Sequence, residues 1–284
     1  MNLGRGLVVT TGRERDARHL LANESFRCTF GAMRGQPRHQ HILDQLRREG
    51  RVDVADLAVV LETSEVTIRR DLDLLAEQGT LRRIRGGAVS LMMRGEELPF
   101  AMREVESVVA KQRIAAVAAG LIRDGEAVVV DSGTSGLAVA RALADRQLTV
   151  MPLSLHSAVV LSASSSVNLL LPGGATRFGE GSIVGPLAEA SLAALRFDTV
   201  LLTCCGLSPE DGVTAHDLQD AAVKRAAVKS SRRIILLAEG AKFTRTALAS
   251  VCPADQIDVL VTDETAPAGA LAQFREAGVD VQVA

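Results

Sequence analysis

The chain has 284 residues, of which 47% are hydrophobic and 2% aromatic, and a formal net charge of −2. That length suits two ordinary domains or one large one, and the apolar content is ample for packed cores, so a globular protein is implied. The longest apolar runs, such as Ile234–Ala238, fall far short of the roughly 20 residues a membrane-spanning helix needs, which excludes a bilayer-crossing segment.

The start, Met1-Asn2-Leu3-Gly4-Arg5-Gly6, lacks the apolar core of a signal peptide, and residence in the cytoplasm is expected. Four cysteines in a chain of this length make no disulfide framework. The vicinal pair Cys204-Cys205 has the makings of a metal or redox pair, but two small buried residues in a strand account for it more simply. No cofactor or metal motif stands out. The net charge argues against a nonspecific polyanion binder, yet it conceals a local pattern: Arg69, Arg70, Arg82, Arg83 and Arg85 crowd the second half of residues 36–90, while the acidic excess is C-terminal.

Residues 1–35 show no sustained periodicity and read as a flexible N-terminal extension, with Met33 as an alternative translational start. From Pro37 a stripe of Ile42, Leu43 and Leu46 predicts a short helix that stops at Gly50. Asp53 is placed to cap a second helix with Val54, Leu57, Ala58 and Leu61 on its apolar face. After the turn Glu62-Thr63 comes Ser64-Glu65-Val66-Thr67-Ile68-Arg69-Arg70-Asp71-Leu72. At about 100° per residue, Ile68, Leu72 and Leu75 share a narrow sector, while Val66, Thr67, Arg69 and Arg70 spread over the opposite side. Ser64 caps the first turn, Thr67 can meet a base edge or phosphate, and the two arginines supply forks for guanine or phosphate. The alternative is a solvated surface helix in which Arg69 pairs with Glu65 and Asp73.

Gln78-Gly79 closes this helix, and Leu81–Val89 alternates in strand fashion around Gly86-Gly87, predicting a β wing. Arg82, Arg83 and Arg85 on such a hairpin suit phosphates or a minor groove. Residues 36–90 are thus expected to form a winged helix-turn-helix that binds double-stranded DNA, with residues 91–99 as a linker.

The second part, residues 100–284, opens with a helical stretch through Ile122. Val105, Val108, Val109, Gln112 and Ala116 lie on related faces of it and are read as a core face, with a dimer contact as the alternative. Short apolar strands then alternate with helices. Strands are expected at Ala127–Val130, Leu148–Met151, Val167–Leu171, Thr199–Thr203, Arg233–Ala238, Asp258–Val261 and Asp280–Val283, with helices near 136–144, 156–163, 186–195, 217–230 and 267–277. Continuous apolar strands of this kind belong in an open, mostly parallel α/β sheet.

Ligands in such sheets sit beyond the strand C-termini. Asp131, Ser132, Gly133, Thr134 and Ser135 follow the first strand and open a helix, so hydroxyls and free N–H groups can cradle a phosphate; a plain strand-to-helix turn explains the loop equally well. Gly173 and Gly174 lie in a second glycine-rich loop. Lys224 and Lys242 are two of only four lysines in an arginine-favouring chain and are candidate phosphate partners, a surface lysine being the competing reading for Lys224.

Taken together, residues from about 37 to 284 resemble the DeoR family of bacterial sugar-catabolism repressors. The marks are Ser64–Leu72, the wing Leu81–Val89, Leu98-Pro99-Phe100, Asp131–Ser135, Leu187-Ala188-Glu189, Ala222-Val223-Lys224-Arg225 and Lys242-Phe243. The resemblance implies a winged helix-turn-helix joined to a sensor domain similar to ribose-5-phosphate isomerase. It also implies a phosphorylated sugar as effector and a homodimer or higher homo-oligomer on operator DNA. The chain departs from the usual family pattern at Pro152-Leu153-Ser154, at Thr203-Cys204-Cys205-Gly206 and at Glu239-Gly240-Ala241, each a change of polar groups near the expected ligand. A non-enzymatic regulator is expected. The alternatives are a sugar-phosphate isomerase or hydrolase using Asp131, Asp211 or Glu239 as acid and base, and a DNA binder with a vestigial pocket.

Overall fold

The computed structural model describes residues 38–39, 41–43, 45–46, 50–77, 81–90 and 98–284. The expected extension 1–35, the helix stop Gln78-Gly79 and the linker residues 91–97 lie outside the described residues. Two compact units divide the chain between Leu91 and Met92.

In the first unit the described residues between 38 and 46 are helical (α1), and Ile42, Leu43 and Leu46 are buried as their spacing predicts. Gly50 ends the run: at φ +72° its N–H still reaches the Leu46 carbonyl at 2.8 Å, the left-handed stop that glycine tolerates. Arg51–Asp53 then form a strand, β1. Asp53 caps α2 (Val54–Val60) by accepting from Ala55 N at 3.0 Å. Only Val54 and Leu57 of the expected apolar face are fully buried, Ala58 and Leu61 being half-buried. Helix α3 spans Glu65–Glu77, and the wing is the hairpin β2 (Leu81–Ile84) and β3 (Gly87–Ser90). β1 pairs antiparallel with β3, giving the order β1-β3-β2, an extra strand that Arg51-Val52 did not announce. That pairing fixes Gly87, whose Cβ would stand 2.0 Å from the Val52 carbonyl oxygen.

The second unit opens with α4 (Phe100–Val105) and α5 (Val108–Gly120), separated by Ser107 at φ 46°, ψ 35°. The expected single helix is therefore broken, and its expected core face is the wrong one. Val105, Val108, Val109, Gln112 and Ala116 are exposed, whereas Lys111, Ile114, Ala115, Ala118 and Ala119 are buried. Both stripes are apolar, so periodicity could not decide between them. Contact with the sheet did.

There follow β4 (Ala127–Val130), α6 (Gly133–Leu143), β5 (Leu148–Pro152), α7 (Leu155–Ser162), β6 (Val167–Leu169), the hairpin β7 (Ala175–Thr176) and β8 (Ile183–Val184), and α8 (Pro186–Ala193). Next come β9 (Phe197–Thr203), β10 (Gly206–Ser208), β11 (Gly212–Ala215), α9 (Leu218–Ser230), β12 (Ser231–Ala238), β13 (Ala249–Cys252), β14 (Val259–Thr262), α10 (Ala268–Glu276) and β15 (Asp280–Val283). Seven strands form one parallel sheet in the order β15-β14-β12-β9-β4-β5-β6. Successive residues of each strand face opposite layers. Val128, Val130, Leu201 and Ile235 pack with Ile114, Val139 and Leu161 of α5, α6 and α7 on one side. Val129, Val200 and Leu236 pack with Leu192, Ala227 and Phe274 of α8, α9 and α10 on the other. All seven strands and the five helices among them were legible as runs. The small antiparallel sheet β10-β11-β13 and the hairpin β7-β8 were not. Among the described residues no helix is long and apolar enough to cross a membrane.

The strand order has a further consequence. From β4 the chain moves outward through β5 and β6, then returns to β9 on the other flank of β4 and continues to β12, β14 and β15. The crevice beyond the C-terminal ends of β4 and β9 is thus the topological switch point, where open α/β sheets bind ligands.

Candidate nucleic-acid interface and sensor site

On α3 the structure separates a buried from an exposed face. Ser64 Oγ accepts from Thr67 N at 3.2 Å and lies 2.9 Å from Thr67 Oγ1, so Ser64 caps the helix and orients Thr67. Val66, Arg69 and Arg70 are exposed, while Ile68, Leu72 and Leu75 are fully buried. Arg69 pairs with Glu65 at 2.6 Å across the helix surface, a solvated bridge that a phosphate can displace. Arg70, Arg82 and Arg85 are exposed and, among the described residues, have no side-chain partner. Arg83 differs from its neighbours. Its Nε donates to Asp73 at 2.7 Å and its Nη1 to the Gly87 carbonyl at 2.6 Å, which ties the helix to the wing. Asp73 therefore partners Arg83 rather than Arg69.

Sequence reasoning passed over Asp71. It is 8% exposed and accepts from Arg38 Nη2 at 3.0 Å, from Arg38 Nε and from His39 Nε2 at 2.9 Å, clamping α1 to the middle of α3. Burial by itself would raise this carboxyl, but the hydrogen bonds from Arg38 and His39 outweigh it and hold Asp71 below its ordinary value. The signal available was a carboxylate beside Leu72 on the buried sector of the helix.

In the second unit, Asp131 leaves the end of β4 only 1% exposed. Its Oδ1 accepts from Ser132 N at 2.8 Å. Its Oδ2 accepts from Thr203 N at 2.8 Å, from Thr203 Oγ1 at 2.9 Å and from the Lys224 ammonium. Lys224, from α9, is 2% exposed and lies 3.5 Å from Asp220 Oδ2, one helical turn earlier. Burial alone would lower the lysine, but Asp131 and Asp220 prevail and raise it, so the ammonium is locked on. Asp220 is pushed upward by burial, with Lys224 pulling it back. Lys224 is thus no surface lysine, and in this structure it faces carboxylates. Thr203, at the end of β9, is the missed member of the group.

The consequence appears at the start of α6. Ser132 occupies the N-cap position without capping, because its Oγ donates to Asp220 Oδ1 at 3.2 Å instead. The N–H groups of Gly133, Thr134 and Ser135 are left without a side-chain cap at the positive end of the helix. Gly133, at φ +87°, has around its Cβ position only Arg103 Nη1 at 3.7 Å and Thr203 Oγ1 at 3.8 Å, which leaves a small open cradle. The geometry therefore gathers Asp131, Ser132, Gly133, Thr134, Ser135 and Lys224, and adds Thr203, Asp220 and Arg103.

Lys242 lies in a 3-10 turn (Gly240–Thr244) after β12. Beside it Glu239 is raised by burial, an effect that Lys111 and Lys242 oppose. Gly173 and Gly174 are held against the start of α8: their Cβ positions lie 3.2 Å from Leu187 Cβ and 2.6 Å from the Val184 carbonyl oxygen. Close packing on the Cβ side accounts for glycine at both positions, while their backbones stay exposed. Cys204 is buried and Cys205 half-buried just after β9, and among the described residues neither forms a disulfide.

The chain thus joins a winged helix-turn-helix, with an arginine-bearing face, to an α/β domain whose switch-point loop presents free amides, the build of a ligand-regulated DNA-binding protein. Residues 38–93 match the DeoR-like helix-turn-helix domain and residues 106–264 the DeoR C terminal sensor domain; the chain belongs to the DeoR family of transcriptional regulators. It is similar to the transcriptional repressor AccR of Agrobacterium fabrum strain C58, with 34% identity covering 80% of this chain and 89% of the relative. To the glycerol-3-phosphate regulon repressor of Escherichia coli K12 it is 30% identical over 83% of this chain and 93% of that one. The ribose 5-phosphate isomerase A structure from Methanocaldococcus jannaschii aligns with a TM-score of 0.36 and 11% identity, covering 47% of this chain and 53% of that one.

Proposed function

We propose that the chain is a cytoplasmic repressor of carbohydrate-metabolism genes whose operator affinity is set by a small phosphorylated sugar or polyol bound at the N-terminus of α6. The observation that carries the reading is the diversion of Ser132 to Asp220, which leaves the Gly133–Ser135 amides for an anion. Asp131 and Lys224 shape the loop, while Lys242 approaches the rim of the same strand ends. Relatives named glycerol-3-phosphate regulon repressors support an effector of this class. An enzymatic reading is disfavoured because Asp131 is engaged within the protein, accepting from Ser132 N on Oδ1 and from Thr203 N, Thr203 Oγ1 and the Lys224 ammonium on Oδ2, which gives it a structural part in the loop.

Ser64, Val66, Thr67, Arg69, Arg70, Arg82 and Arg85 form the operator-facing set, with Arg83 holding the wing to the helix. Two copies would read a two-fold operator with heads about 34 Å apart. Two measurements test the proposal. Replacing Arg69 and Arg70 together by Ala should weaken operator binding by about 1–3 kcal/mol per base-reading arginine, and unchanged affinity would remove the DNA assignment. In a thermal-shift screen of phosphorylated sugars, an effector at about 100 times its Kd should stabilise the sensor unit by about 2.7 kcal/mol. A panel without any shift, in a protein that still binds DNA, would show that the pocket no longer senses.

A further inference from the structure

The first described residues of the second unit, from Leu98 on, are tied down at the rim of this same cleft. Leu98 is fully buried, and Phe100 stacks on His156 with ring centroids 4.0 Å apart and planes 10° from parallel. Glu180, from the loop between β7 and β8, holds this segment twice. Its Oε1 accepts from Phe100 N at 3.1 Å and its Oε2 takes the Arg103 guanidinium. Arg103 Nε donates back to the Leu98 carbonyl at 2.7 Å. The buried Lys111 ammonium donates to the carbonyls of Arg103 and Glu106, the latter at 2.7 Å. One carboxylate therefore fastens residues 98–103, the stretch that leads back along the chain to the DNA-reading unit. Arg103 also reaches the cradle, since its Nη1 stands 3.7 Å from the Cβ position of Gly133.

We infer that Arg103 is an effector-binding residue and that its pairing with Glu180 is the latch through which effector occupancy is reported to residues 98–103. The inference rests on the sensor reading above. A phosphate seated on the Gly133–Ser135 amides lies within reach of Arg103 and competes with Glu180 for its guanidinium, which offers paired donors to either anion. The arriving charge also repels the Glu180 carboxylate. As Glu180 turns away, the Phe100 N–H loses its acceptor and the segment is released. Arg103 on Glu180 and Arg103 on phosphate are two discrete arrangements with different affinity for the ligand, as a population shift requires.

Hydrogen exchange on the intact chain tests this, with glycerol 3-phosphate and inorganic phosphate as probes and peptides covering 98–104 and 132–138 as reporters. In the wild type, a probe should slow exchange in 132–138 and speed it in 98–104 by about tenfold. Glu180→Ala should show the faster 98–104 exchange without any probe, and Glu180→Gln, which keeps an acceptor for Phe100 N but no charge, should fall between. Arg103→Ala should weaken probe binding and speed 98–104 exchange without any probe, and wild-type probe affinity in this variant would overturn Arg103 as an effector-binding residue. Protection of 132–138 with no change in 98–104 would overturn the latch and leave the sensor reading standing. No response in either peptide from either probe would overturn both. Unaltered 98–104 exchange in Glu180→Ala would overturn the latch whatever the probes do.

Discussion

Asp71→Ala probes how the reading helix is held. Three hydrogen bonds converge on this carboxylate, from Arg38 Nε, from Arg38 Nη2 at 3.0 Å and from His39 Nε2 at 2.9 Å. Breaking a buried charged pair by deleting one partner costs about 3–5 kcal/mol, because the other charge is left uncompensated. Here the Arg38 side chain is 24% exposed and recovers some hydration, so the expected loss is about 2–3 kcal/mol, roughly 30- to 150-fold in the folding equilibrium of the first unit. The assay is urea unfolding of the intact chain, followed by hydrogen exchange in residues 65–77. The same carboxylate sets the acid limit. Its folded pKa lies below the ordinary 3.8, so its contribution is present above that value and is lost as pH falls through the folded one. Wild-type α3 should therefore loosen below about pH 4, and Asp71→Asn should lack this acid-dependent step. A variant Asp71→Ala within about 0.5 kcal/mol of wild type would refute the clamp.

Three further outcomes are expected. Lys224→Met should destabilise the second unit by about 3–5 kcal/mol, since Asp131 and Asp220 would share a buried site without a cation, and adding Asp220→Asn should recover part of the loss. Because the Lys224 pKa is raised, its contribution is complete below the ordinary 10.5 and declines only above it; calorimetry across pH 8–11 checks this. Gly136→Ala would place a Cβ 2.1 Å from the Asp131 carbonyl oxygen, forcing α6 off the loop at a cost of about 1–3 kcal/mol and abolishing effector-induced thermal shifts. Burial, with Asp255 nearby, pushes the Cys252 thiol up to about 11, so iodoacetamide at pH 8 should label half-buried Cys205 well before Cys252; equal rates would contradict the packing around β13.

Much of this architecture was legible because its signals are local. The parallel strands announce themselves as unbroken apolar runs, since both of their faces are covered, and Ile68, Leu72 and Leu75 mark the buried side of α3 by spacing alone. What escaped was decided by partners distant in sequence. Lys224 and Asp131 meet across 93 residues, and nothing near either position tells a buried lysine from a solvated one. Asp71 finds Arg38 across 33 residues. On α5, where two apolar stripes run side by side, only packing against the sheet selects Ile114 and Ala118 over Val109 and Ala116. Arg103 was invisible for the same reason: its part at the site comes from where Glu180 and Gly133 stand in space.

The strand order also sets a sequence of events during synthesis. Every described pairing of the first unit closes within residues 38–90, whereas β9, at the middle of the large sheet, needs β4 on one side and β12 on the other. β12 ends at Ala238, 148 residues after Ser90. At roughly 5–20 residues per second, a growing chain spends about 7–30 s with its DNA-reading surface made and its regulatory cleft still unformed. A ribosome-bound copy is in that interval a reader without a governor, and the time it spends so is fixed by where one strand lies in the sheet.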